Sequence, residues 1–341
     1  MKHWLALFLL FLLCAGSYAQ EISVLQLNVW LAGSKVPNGV AAIANIIDEI
    51  NPSIVLINEG GNKERNLAGE LVSILESRGK SYSAGSYEND FFVLSTFPVE
   101  SSKVLPYGVR TVLELGNGKF ACVYSVHLNY LDYACYLPRG YSGKTWEKLE
   151  SGPVTDIRAI TEMNLASGRN TAIAGFIADA APFIDRGDLV ILGGDFNEPS
   201  HRDWTAASKD LFDHNGVEML WHCTVLLEQN GFVDTYRALY PDPVKYPGIT
   251  YPANNTEVDV ATLSWIPTAD DRDRIDFIFY VPPQNVDLIE AALVGPNTTI
   301  TRGARDNDIT ADPIITPKST WPTDHRGTFA RLLLKEEPQN E

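Results

Sequence analysis

Short apolar runs of β character recur along this chain with helical stretches between some of them, and several of the runs end in a polar side chain. Ile22 to Trp30 reads as a strand, Val40 to Ile50 as a helix with apolar residues at helical spacing, and Ile54 to Ile57 as a fully buried strand. Asn51-Pro52 marks the helix end between them. The pattern continues with a helix near Leu67 to Ser77 and strands at Phe91 to Ser95, Val112 to Leu115 and Ala121 to His127. A helix across Thr171 to Ala180 precedes an apolar strand from Asp188 to Gly193, and a helical stretch is expected from Val217 to Gln229. Strands at Ile275 to Val281 and Thr328 to Leu333 complete the set. Strands that also follow one another without a helix between them suggest packed sheets covered by helices, an α/β (α+β) architecture.

Two segments exceed what such a core needs. Tyr130 to Leu165 is rich in Tyr, Gly and Trp, and Pro241 to Asp273 in Pro, Asn and Asp. Long ordered loops in compact domains are usually functional, so both are expected to select substrate.

The N-terminus sets the expected compartment. Lys2, the apolar run Leu5 to Leu13 and the exit Ser17-Tyr18-Ala19 form a secretory signal peptide, with cleavage after Ala19 and a single domain over residues 20–341. The expected localisation is secreted or periplasmic. Lipidation of Cys14 is disfavoured, because Phe11-Leu12-Leu13 lacks the small residue that usually precedes a lipidated cysteine. Loss of Lys2 with the leader takes the net charge from -16 to -17. With no basic stripe, wrapping a duplex by counterion release is not what this surface is built for. A small anionic substrate held through a metal is compatible with that charge.

Cys122, Cys135 and Cys223 remain after cleavage, an odd count that allows one bridge, for which Cys135 with Cys223 is the expected pair. Cys122 reads as a small buried hydrophobe. No cysteine pair has zinc-ligand spacing. The sequons at Asn254 and Asn297 would be exposed glycan sites in a eukaryotic secretory host.

Several strand ends carry residues suited to chemistry. Val190-Ile191-Leu192-Gly193-Gly194 presents Asp195 and Asn197 at i and i+2, on one side of an extended chain. Such a pair can orient phosphate or water, although Gly, Asp and Asn also form turns. Thr323-Asp324-His325 sets a histidine beside a carboxylate, a poised base, and Arg274-Ile275-Asp276 precedes it. Asn28 ends the first strand and Glu59 the second; a carboxylate with an amide suits Mg²⁺ or Mn²⁺ rather than zinc. Alternation in Ser125-Val126-His127-Leu128-Asn129 puts His127 and Asn129 on one face. Taken singly, an Asp-His pair is more often a solvated loop, and His127 a satisfied core histidine.

In this order, Asn28, Glu59, His127 with Asn129, Asp195 with Asn197, Asp276 and Asp324-His325 resemble the endonuclease/exonuclease/phosphatase superfamily. Phe92-Val93-Leu94-Ser95-Thr96-Phe97-Pro98 resembles its strand ending in Ser-x-aromatic-Pro. The resemblance implies a four-layered α/β sandwich of the DNase I-like type, two packed mixed sheets flanked by helices. It implies a Mg²⁺-dependent hydrolase acting on a small, lipid-linked or nucleic-acid phosphoester, with no obligate protein partner. It implies Asn28 and Glu59 as metal ligands with Asp324 contributing, Asp195 and Asn197 orienting water and phosphate, and His325 as catalytic histidine oriented by Asp276. His127, with Asn129 and Asn197, would contact phosphate. Asn58 and Thr323 stand where many relatives have Gln and Ser, and the span from His127 to Asp195 is longer than in compact members. A non-catalytic scaffold is the alternative; a glycoside hydrolase leaves the Asp-x-Asn and Asp-His motifs unexplained.

Overall fold

The computed structural model describes residues 19–61, 66–85 and 90–335; the signal peptide read at residues 1–19 lies outside them except for Ala19. Two mixed sheets pack face to face. In spatial order the seven-stranded sheet runs Ile314–Ile315, Val286–Val294, Gly327–Leu334, Gln20–Asn28, Ile54–Asn58, Phe92–Ser95 and Ser83–Ala84. The six-stranded sheet runs Val99–Leu105, Gly108–Gly116, Lys119–His127, Leu189–Asp195, Asp276–Val281 and Val233–Asp234.

Side-chain alternation builds the layers. On the first strand Ile22 and Val24 enter the core between the sheets, whereas Leu25 and Leu27 pack beneath the helices Gly39–Ile50 and Leu67–Ser77. On the second sheet Ala121, Val123 and Ile191 face inward, and Cys122, Tyr124 and Leu192 meet the helices Arg169–Asp185 and His222–Gln229. The result is helix, sheet, sheet, helix, as the superfamily resemblance implies.

Departures from the sequence reading have local causes. Helix is absent from 217 to 221, because Val217, Met219 and Trp221 are buried while Glu218 and Leu220 are exposed, the period of extended chain. Strand Val99–Leu105 was unread because it is a mostly exposed edge without an apolar face, and Val286–Val294 because a bulge between Leu288 and Glu290 breaks its alternation. The segment expected as a loop after Tyr130 contains the helix Ile157–Ala166, capped by the Asp156 carboxylate.

The expected Cys135–Cys223 bridge does not form: all three described cysteines are free and buried. Cys223 packs between the second sheet and its helices, and Cys135 belongs to a separate cluster built by the two long segments. Of the two sequons, Asn297 is exposed, but Asn254 is buried and its amide donates to Thr298 Oγ1 at 2.8 Å, which corrects the expectation of a glycan there.

The two long segments share that cluster. Tyr133, Tyr136 and Ile160 from one pack with Tyr251, Ile266 and Ala269 from the other. Arg139 joins them by donating to Asp273 Oδ2 at 2.5 Å, and Asp273 also accepts from Trp204 Nε1 at 3.1 Å. The Tyr141 hydroxyl bonds that of Thr268.

Candidate active site

Strand register brings the polar strand ends together. In the six-stranded sheet His127 is paired with Asp195, and Asp195 with Asp276, so three chemical side chains stand in one row. In the facing sheet Asn28 is paired with Asn58, one residue before Glu59. His325 lies just before the strand Gly327–Leu334 that flanks the first strand.

Gly194 makes this row buildable. Its φ is +155°, and a Cβ there would meet Val126 O at 1.8 Å, so only glycine lets the strand carrying Asp195 lie against the strand carrying His127.

Two histidines converge on one carboxylate oxygen. His127 Nε2 and His325 Nε2 each lie 3.8 Å from Asp195 Oδ2. Each ring is held from behind at Nδ1, His127 by Asp90 Oδ2 at 2.7 Å and His325 by Asp276 Oδ2 at 2.8 Å. Burial opposes charge on His127, but the Asp90 hydrogen bond and the charges of Asp195 and Glu59 outweigh it and lift the ring to about 9. For His325 burial is likewise outweighed, chiefly by Asp276, and the ring is held well above its ordinary value. Burial and the Asp276 charge push Asp195 up to about 6.

Asn28 ties the sheets at this point. Its Nδ2 donates to Glu59 Oε1 and Asp195 Oδ2, both at 3.1 Å, while its Oδ1 accepts from Trp30 N at 2.9 Å. Gln26 donates to Asn58 Oδ1 at 2.8 Å and Asp276 Oδ1 at 2.9 Å, and Asn58 donates onward to Val126 O at 2.6 Å. Asn197 is held through its backbone N–H to Asp195 Oδ1 at 2.8 Å and its side chain to Leu128 O at 3.0 Å.

Carboxylates and imidazoles gather closely enough here to hold a divalent cation. Glu59, His127 and Asp195 form one set of ligand atoms lying within 4.8 Å of one another, and Asp195, Asp276 and His325 a second. Asp324 is pushed up to about 7 by burial, reinforced by the Glu59 charge against the pull of His325. Carboxylates crowded in this way favour a cation among them. Asp324 lines the same cavity without belonging to either set.

These groups open into a cavity of about 410 Å³. Trp30, Leu31, Glu59, Trp146 and Asn197 line it, and all five have left-handed backbone, with φ between +44° and +60°. Such conformations concentrate at functional sites in residues other than glycine.

Asn129 does not join the site. The strand ends at His127, so alternation stops; Asn129 Nδ2 donates to Ser167 O at 2.9 Å and its Oδ1 accepts from Leu131 N at 3.1 Å, anchoring the loop instead. Sequence reasoning also missed Gln26 and Asp90. Gln26 was accessible, since it lies two residues from Asn28 on the same strand face. Asp90 reaches His127 from a turn 37 residues away, and no sequence periodicity marks such a contact.

The sequence profile of the Endonuclease/Exonuclease/phosphatase family matches residues 25–325. The chain is 29% identical over 289 residues to the uncharacterized protein F14F9.5 of Caenorhabditis elegans, covering 81% of this chain and 86% of that protein. An AP endonuclease from Archaeoglobus fulgidus superposes with a TM-score of 0.52 at 14% identity, covering 91% of this chain and 98% of that one. TDP2 from C. elegans gives 0.50 at 17% identity, covering 92% and 75%. The two structures share the architecture of stacked sheets. The chain belongs to the endonuclease/exonuclease/phosphatase family, whose members are typically metal-dependent phosphoester hydrolases.

Proposed function

We propose that this protein is a secreted, Mg²⁺- or Mn²⁺-dependent phosphoester hydrolase. The observation that carries the reading is the convergence of two carboxylate-backed histidines on Asp195 Oδ2, beside Glu59 and Asn28.

In this reading Glu59 holds the cation with Asp324 contributing, and Asn28 joins them once its amide turns so that its oxygen, rather than Nδ2, faces Glu59 and Asp195. The cation, when bound, neutralises charge on a phosphoryl oxygen and favours in-line attack. Asp195 orients water and takes its proton as the water oxygen bonds phosphorus, helped by a carboxyl lifted toward neutrality. The bond from phosphorus to the alcohol oxygen breaks on the opposite side, and a charged imidazole returns a proton to that oxygen. The sequence casts His325 as the base. The Asp276 hydrogen bond and charge raise the ring's affinity for a proton, which also suits it to binding phosphoryl oxygens and donating a proton to the leaving oxygen. His127, backed by Asp90, takes the second such place, and Asn197 positions phosphate.

Export rests on the leader read at residues 1–19. N-terminal sequencing of protein recovered from the medium should begin at Gln20, and an intact leader would count against export. The activity is tested with bis-p-nitrophenyl phosphate, p-nitrophenyl phosphate, plasmid DNA, sphingomyelin and an inositol polyphosphate, each with Mg²⁺ and with EDTA. Turnover of at least one that EDTA abolishes is expected. Silence across all five from folded, metal-loaded protein would favour the non-catalytic scaffold.

A further inference from the structure

Tyr130, Trp146 and Trp265 form a row of touching rings on the wall of the catalytic cavity. The Trp146 and Trp265 centroids are 4.7 Å apart at 42°, and those of Tyr130 and Trp146 6.1 Å apart at 39°. Trp265 is 56% exposed and Tyr130 54%, so these faces are not used by the protein's own core. Large aromatic residues left open beside a catalytic centre mark a ligand surface.

The backbone that carries the two tryptophans is tied to the fold. Trp146 sits at φ +60°, held by its backbone N–H to Ser142 O at 2.9 Å, and Ser142 N bonds Glu147 O at 2.9 Å. Trp265 precedes Ile266, which is wholly buried in the cluster shared by both long segments. A left-handed tryptophan fixed in this way fits a binding surface better than a fold requirement.

We infer that this row is the specificity subsite for the alcohol half of the substrate, and that it takes a planar aromatic or heteroaromatic ring. The inference rests on the phosphoester reading above. Rings in mutual contact make a stacking platform; a cage for a quaternary ammonium would need them spread around a cation-sized gap. Lys35 is the one lysine or arginine lining the cavity among the described residues. At about 410 Å³ the cavity has the size of a small-molecule site, so the ligand is a small ring-bearing phosphoester such as a nucleotide-sized molecule.

The test is equilibrium binding to the Mg²⁺-loaded protein, by calorimetry and tryptophan fluorescence. The probes are adenosine 5′-monophosphate, ribose 5-phosphate, phosphocholine and hexyl phosphate. Adenosine monophosphate should bind at least about tenfold more tightly than the other three and quench tryptophan emission. Trp265→Ala should remove that advantage while leaving ribose 5-phosphate affinity unchanged, and Trp265→Phe should retain much of it. Equal affinity for adenosine monophosphate and ribose 5-phosphate would overturn the subsite while leaving phosphoester binding intact. A preference for phosphocholine or hexyl phosphate would overturn it in favour of a cation or an alkyl chain. Binding of none of the four would remove the phosphoester reading and the subsite together.

Discussion

Asp195 Oδ2 receives Asn28 Nδ2 at 3.1 Å and faces two imidazoles, so one oxygen organises three neighbours. Removing its charge through Asp195→Asn should lower kcat at least about a hundredfold, and His325→Ala should do likewise. Steady-state kinetics on the best substrate of the panel checks both, and near-normal turnover in the two variants would remove this assignment. Glu59→Gln should shift the Mg²⁺ titration to higher concentration with a smaller change in saturated kcat; an unmoved titration would deny it a ligand role. Asp90 is a positioning residue. Asp90→Asn should lower kcat at least about tenfold, and the His127 ring, followed by NMR, should titrate below its wild-type value.

Most of these residues were legible because strand ends are where a period of two delivers a side chain to a defined side. Asn28, His127, Asp195 and Asp276 end or begin strands, and their convergence follows from register. Asn129 was misread because alternation was carried past the end of its strand. Asp90 and the ring row depend on long-range packing of turns and loops, which leaves no local pattern in the chain.

At the scale of elements, the strand Leu189–Asp195 is the keystone, since it pairs with the strands bearing His127 and Asp276. Gly194→Ala would drive a methyl group into Val126 O in a backbone region that L-residues avoid. The variant should fail to fold or lose several degrees of melting temperature, read by circular dichroism, and wild-type stability would show that the strand can shift. The helices Gly39–Ile50 and Leu67–Ser77 and the buried strand Ile54–Asn58 match the sequence reading because their apolar patterns are clean. The edge strand Val99–Leu105 and the bulged Val286–Val294 lack a clean period and were not read.

At the scale of the molecule, carboxylates gathered between two sheets repel one another until a cation joins them. Mg²⁺ at a hundred times its Kd should stabilise the fold by about 2.7 kcal/mol, raising the melting temperature, with EDTA reversing the gain. An unchanged transition would argue against a site formed in the native state. Acid acts elsewhere as well. Burial, reinforced by the Arg139 charge, pushes His214 down to about 2. Its stabilising contribution is therefore present above the unfolded value of about 6.5 and declines as pH falls below that, by at most about 1.4 kcal/mol per unit. His214→Phe, which keeps a ring against Trp204, should lose less stability than wild type between pH 7 and pH 5, measured by urea unfolding.

The ring wall has a hydrophobic cluster of its own, distinct from those that hold the two sheets. Replacements on its surface can therefore alter which molecule is accepted without disturbing the strands that place the reacting groups.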